Sequence, residues 1–108
     1  MRVLLDACVP RRLGSALVGH EAATAQEMGW DDLDDGPLLD AMTGLFDVLL
    51  TVDRSLPKQQ SLTRRPFAVL VLRARTNRLA DLLPLVPAVL TVLPELGQGE
   101  VRELVAGA

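Results

Sequence analysis

Apolar positions along the chain fall into short, nearly continuous runs that alternate with stretches spaced as on a helix. Arg2 to Asp6 is a brief β-rich run. Pro10 then stands where a helix starts, and apolar residues recur at helical spacing through Leu17. Gly19-His20 signals a turn, Glu21 to Ala25 is small and weakly strand-like, and Gln26 to Gly29 reads as a helical turn stopped by glycine. After the acidic stretch Asp31 to Gly36, the segment Pro37 to Gly44 predicts a second helix of about two turns. Phe46 to Asp53 is the clearest buried strand and Phe67 to Arg73 the next, whereas Glu100 to Val105 alternates polar and apolar like an edge strand exposed on one face.

Strands alternating with helices predict an α/β fold: a three-layer α/β/α sandwich around a mostly parallel sheet of about five strands, joined by right-handed crossovers. A chain of 108 residues, 49% of them hydrophobic, suits a single domain over 1–108 with one core. The most apolar stretch, Leu79 to Pro94, carries Asp81 and three prolines and meets Glu95, so it predicts short buried helices and no membrane span. The same face would equally serve a homodimer.

Charge and cysteine usage narrow the setting. A net charge of -3 provides no whole-molecule attraction to nucleic acid or anionic lipid, so any polyanion contact must be a local patch. The single Cys8 forms no intramolecular disulfide, and the apolar run after Met1 is too short for a signal-peptide core, which together predict a cytoplasmic protein.

In a parallel sheet the strand ends gather along one edge, where open α/β sheets bind ligands. Asp6 ends the first strand, Asp53-Arg54 the third, and the fourth runs out through Arg73 to Arg78; His20, Asp47, Arg64 and Arg65 fall on the opposite edge. If the strands bearing Asp6 and Asp53 are neighbours about 5 Å apart, their carboxylates repel unless a cation intervenes. Mg²⁺, a hard ion held by oxygen, fits that position, with Asp35 at the start of the second helix as the third carboxylate. Such a cluster orients water for hydrolysis of a phosphodiester. The plainer alternatives are that Asp6 and Asp53 are turn residues and that Asp35 is a helix N-cap. Asp31, Asp32 and Asp34 read as a solvated loop.

Arg11, Arg54, Arg73 and Arg75, with Asn77, are the candidate substrate contacts, within a basic rim that also draws on Arg12, Lys58 and Arg78. With no tyrosine, one tryptophan and two phenylalanines, base stacking is disfavoured and backbone contacts should dominate. Cys8 and His20 do not make a nucleophile and base, because they sit at opposite edges over about 10 Å apart. Trp30 is expected to be a partly buried anchor.

The order Leu4-Leu5-Asp6-Ala7-Cys8-Val9-Pro10, Gly19-His20, Glu27 to Trp30, Asp35 to Leu39, Asp47 to Arg54, Val69 to Arg75 and Gly99-Glu100-Val101 resembles a compact branch of the PIN-like nuclease family over nearly the whole chain. Its most specific piece is Thr51-Val52-Asp53 after an apolar strand. The resemblance implies an Mg²⁺- or Mn²⁺-dependent ribonuclease acting on single-stranded RNA, often the toxin partnered by an antitoxin protein, with Asp6, Asp35 and Asp53 as its catalytic and metal-binding acids. Where the family often has a further acid this chain has Ser55, which leaves a four-acid set incomplete. The alternative function is a catalytically inactive PIN-like module acting through protein contacts. A phosphoacceptor domain would need an acidic pair in the first loop and a lysine after the last strand, which are missing.

Overall fold

The computed structural model describes residues 1–107, so the last position of the expected domain lies outside the described residues. Five strands form one sheet: β1 (Arg2–Leu5), β2 (Glu21–Thr24), β3 (Val48–Thr51), β4 (Ala68–Arg73) and β5 (Val101–Val105). Every pairing is parallel, in the order β2-β1-β3-β4-β5. Around them run α1 (Arg11–Ser15), α2 (Ala25–Met28), α3 (Asp35–Met42), α4 (Leu56–Gln59), α5 (Leu79–Leu82) and α6 (Val86–Val92). The α/β sandwich predicted from the pattern is the architecture observed, with shorter elements.

Two apolar cores, one per sheet face, follow from strand alternation. Val3, Leu5, Val48, Leu50, Leu70 and Leu72 pack with Leu13 of α1 and with Leu82, Val86 and Val89 of α5 and α6. Leu4, Leu49, Val69 and Val71 pack the other way, with Leu38, Leu39 and Met42 of α3 and Leu56 of α4. Trp30 is half-buried there, edge-on to Phe46 at 6.1 Å between ring centroids, as its anchor role required. The apolar stretch after residue 78 resolves into α5, α6 and two 3₁₀ turns, at Leu83–Leu85 and Leu93–Glu95, that bury Leu82, Leu85, Val89 and Leu93. No helix among the described residues is long and apolar enough to cross a membrane.

The crossovers correct one expectation. From β1 to β2 the chain steps one way along the sheet with α1 on one face, and from β2 to β3 and β3 to β4 it steps back with α3 and α4 on the other. These three share a hand. From β4 to β5 it again steps in the second direction, yet α5 and α6 lie on the α1 face, so this connection has the opposite hand. The rule of right-handed crossovers reflects one stiff helix packing back on a twisted sheet. Here Pro84, Pro87 and Pro94 break the connection into short pieces that wrap the other way. As a result, among the described residues no β5 side chain joins the α3-side core, and Val101 and Val105 stay exposed.

Candidate functional site

Strand order reverses at β1 and β3: the chain leaves β1 toward β2 on one side and returns to β3 on the other. Such a reversal opens a crevice at the carboxyl ends of the two strands, where ligands of open α/β folds bind. Asp6 and Asp53 flank it. The backbone N–H of Asp6 donates to Leu50 O at 2.9 Å, carrying the β1–β3 ladder one residue past Leu5 and setting Asp6 beside Thr51. By alternation, both of those side chains point to the α3 face, as Leu4 and Leu49 do.

Thr51, fully buried, ties the two acids together. Its hydroxyl donates to Asp6 Oδ2 at 2.7 Å and accepts the backbone N–H of Asp53 at 3.0 Å. Asp6 Oδ1 accepts the N–H of Ala7 at 2.8 Å, so the carboxylate is held at both oxygens. Asp53 Oδ1 accepts both the N–H and the hydroxyl of Ser55, at 2.9 and 2.6 Å. Ser55 therefore orients Asp53.

Asp35 lies in the first turn of α3, and the cap position belongs to Asp34, whose side chain makes no capping bond. The N-cap alternative for Asp35 is thus off by one residue. A carboxylate in a first turn is ordinarily favoured by the helix dipole. Here the balance runs the other way: burial first, then the charges of Asp53, Asp6 and Asp34, hold the Asp35 carboxyl above its ordinary range. All three sequence-predicted acids therefore share one electrostatic neighbourhood, although among the described residues no three acids, cysteines or histidines stand close enough to form a ready-made ligand set. None of the three forms an ion pair with a basic side chain among the described residues. Their oxygens fit a hard divalent ion by type and by uncompensated charge.

Cys8 Sγ stands 3.7 Å from both Asp6 Oδ2 and Thr51 Oγ1. Burial, aided by the Asp6 charge, pushes its thiol up despite a bond from the Val52 backbone, so it is protonated at neutral pH and is no nucleophile. His20 precedes β2 at the amino edge, as expected.

The basic candidates divide. Arg54, Arg73, Arg75 and Asn77 line one cleft of about 590 Å³ at the ends of β3, β4 and β5, together with Val52, Leu72 and Ala74. Asn77 Nδ2 donates to Cys8 O at 3.3 Å, bracing the loop that follows Asp6. Arg11 is in α1 and is not among the residues lining this cleft. Pattern reading missed Glu103, whose Oε1 lies 2.8 Å from Arg73 Nε and 3.8 Å from Arg54 Nε. The β4–β5 register sets Glu103 beside Val71, on the α3 face of the sheet, and Glu103 is not among the residues lining the cleft. A second cleft, of about 500 Å³, runs from Asp34 and Asp35 to Gln59 and Gln60.

No protein-family model, curated protein or solved structure matches this chain.

Proposed function

We propose that the chain is a PIN-like, divalent-metal-dependent ribonuclease of the cytoplasm that hydrolyses phosphodiester bonds of single-stranded RNA, with a toxin's role opposite an antitoxin partner. One observation carries the reading: at the switch point the buried Thr51 hydroxyl ties Asp6 to the backbone of Asp53, and neither acid has a basic partner among the described residues; the raised ionisation of Asp35, from burial and then the charges of Asp53 and Asp6, agrees with it. Asp6, Asp35 and Asp53 would hold Mg²⁺ or Mn²⁺, which when bound polarises a phosphoryl oxygen and acidifies water. The chain's own groups orient: Thr51 fixes Asp6, Ser55 fixes Asp53 through Oδ1, and the nearby guanidiniums attract the strand's phosphates.

The test is cleavage of unstructured RNA by the purified protein. Activity should require Mn²⁺ or Mg²⁺, stop with EDTA, and fall at least about 100-fold in Asp53→Asn while that variant unfolds at an undiminished temperature in EDTA. Cleavage that survives Asp53→Asn rejects the proposal. The commitment of Asp53 Oδ1 to Ser55 favours a second reading, a PIN-like module that binds without catalysing. Calorimetry separates the two, since absence of heat at millimolar Mn²⁺ selects the module.

A further inference from the structure

The two edges of the sheet differ in what they leave unpaired. At β2, the Glu21 N–H donates to Met1 O, so by alternation Glu21 and Ala23 turn their peptide groups toward β1, and Ala22 and Thr24 turn theirs outward. The Thr24 N–H is already taken by Glu27 Oε1 at 3.1 Å, in the capping box of α2, which closes that end of the edge. β5 is open along its length. The Val69 N–H donates to Glu100 O and the Ala106 N–H to Arg73 O, so Arg102 and Leu104 face β4, while Val101, Glu103 and Val105 direct their N–H and C=O groups away from it. All three of these residues are exposed, and no bond outside the ladder reaches their peptide groups among the described residues.

Such an edge is a template for another strand. We infer that β5 pairs antiparallel with β5 of a second copy of this chain, about a two-fold axis at Glu103, joining two sheets into one. Spacing favours a second copy. The outward residues are symmetric about Glu103, so Val101 of each copy falls opposite Val105 of the other, a β-branched pair of the kind that stabilises sheets, and every outward N–H meets an outward C=O. A slip by two residues in either direction leaves one valine without a partner in the facing strand. Charge agrees with this register. Arg102 is held by Glu100 at 2.6 Å, and Glu103 is drawn inboard over β4 by Arg73 at 2.8 Å. Both charges of the strand are thus answered within their own chain, the two Glu103 carboxylates lean away from the seam, and no partner of opposite charge is called for. A seam between strands of five residues is smaller than a standard interface, so association is weak and reversible, with a Kd of about 10–100 µM. Asp6 and Asp53 lie at β1 and β3, away from the seam, so the inference does not depend on the ribonuclease reading.

The test is sedimentation together with amide hydrogen exchange on the full chain. The protein should be a monomer at about 1 µM and largely a dimer at about 1 mM. The amides of Val101, Glu103 and Val105 should exchange at least about 3-fold more slowly in the concentrated sample, whereas those of Arg102 and Leu104, bonded to β4, should be slow in both. Under mild oxidation Glu103→Cys should form a disulfide between copies, mapped to residue 103, because only that position meets itself across the axis; the equally exposed Val101→Cys should not. Glu103→Pro removes an N–H that β4 does not use and should abolish the dimer. Val105→Lys, a milder change on an exposed side chain, should weaken it at least about 5-fold. A chain still monomeric at about 1 mM overturns the inference and leaves the edge to a strand of another protein. A dimer undiminished by Val105→Lys overturns it as well, as does Val101→Cys cross-linking as readily as Glu103→Cys.

Discussion

The hydroxyl of Thr51 reaches from the end of β3 to Asp6 Oδ2 on the neighbouring strand at 2.7 Å, while the same oxygen receives the backbone N–H of Asp53. One buried side chain thereby sets both the rotamer of the first acid and the path of the chain that carries the third. A hydroxyl can donate once and accept at the same time, which a methyl group cannot. Thr51→Val keeps the shape but strands the Asp53 N–H and loosens Asp6. The variant should lose about 1–3 kcal/mol in urea unfolding and, on the proposed function, about 10-fold or more in Mn²⁺ affinity. Unchanged stability and affinity would show that the linkage is incidental.

Gly99 adopts a φ of +80°, and a Cβ built there would stand 2.5 Å from the carbonyl oxygen of Thr63. Its own N–H donates to Phe67 O at 2.9 Å, so the turn into β5 is pinned against the backbone entering β4. Gly99→Ala should cost about 2–4 kcal/mol, from the left-handed backbone and the collision together. Gly29, with φ of +76° and open space around it, is the control, and Gly29→Ala should cost only about 1 kcal/mol. Similar losses at the two glycines in chemical denaturation would remove the collision from the account.

Much of this organisation is legible in the chain because burial leaves a pattern. Phe46 to Asp53 and Phe67 to Arg73 are nearly unbroken apolar runs, and β3, fully buried, and β4, buried up to Leu72, fall within them. Where an element is only four residues long, periodicity has nothing to repeat, and α4, with its early Pro57, leaves no such signal. The aspartates at the strand ends are visible from order alone. Their relation through Thr51 needs the β1–β3 register, and the pairing of Glu103 with Arg73 needs that of β4 and β5. The hand of the β4-to-β5 crossover is a property of helix placement that no local pattern encodes.

Ser55 stands where a fourth acid is expected, and its hydroxyl and N–H both serve Asp53 Oδ1. Removing the hydroxyl leaves the N–H bond in place, so Ser55→Ala should retain the fold and, on the proposed function, reduce RNA cleavage about 3- to 10-fold. Ser55→Asp instead sets a carboxylate beside Asp53, and repulsion between the two should lower the unfolding temperature in EDTA and deepen its rise on adding Mn²⁺. Thermal scans with and without the ion read both effects. A Ser55→Asp protein indifferent to Mn²⁺ would place residue 55 outside the metal's reach.

Asp35 couples the site to stability. In the unfolded chain its carboxyl ionises near 3.8, and in the folded chain burial and the neighbouring charges of Asp53, Asp6 and Asp34 keep the proton on to higher pH. Between those two values the folded state binds more protons than the unfolded state, so this residue's contribution to stability falls as pH rises through the window. Above the folded value the loss is complete. Asp35→Asn, which stays neutral throughout, should therefore unfold a few degrees higher than the wild type at pH 7, and the difference should vanish at pH 3, where both are uncharged in either state. A divalent ion offers the wild type another way to offset the same repulsion: at 100 times its dissociation constant it adds about 2.7 kcal/mol. Mn²⁺ should raise the wild-type midpoint more than that of Asp35→Asn, reversing their order at pH 7. If the asparagine variant is less stable at pH 7 without metal, Asp35 is held by favourable contacts, and the charge crowding on which the metal proposal depends is not there.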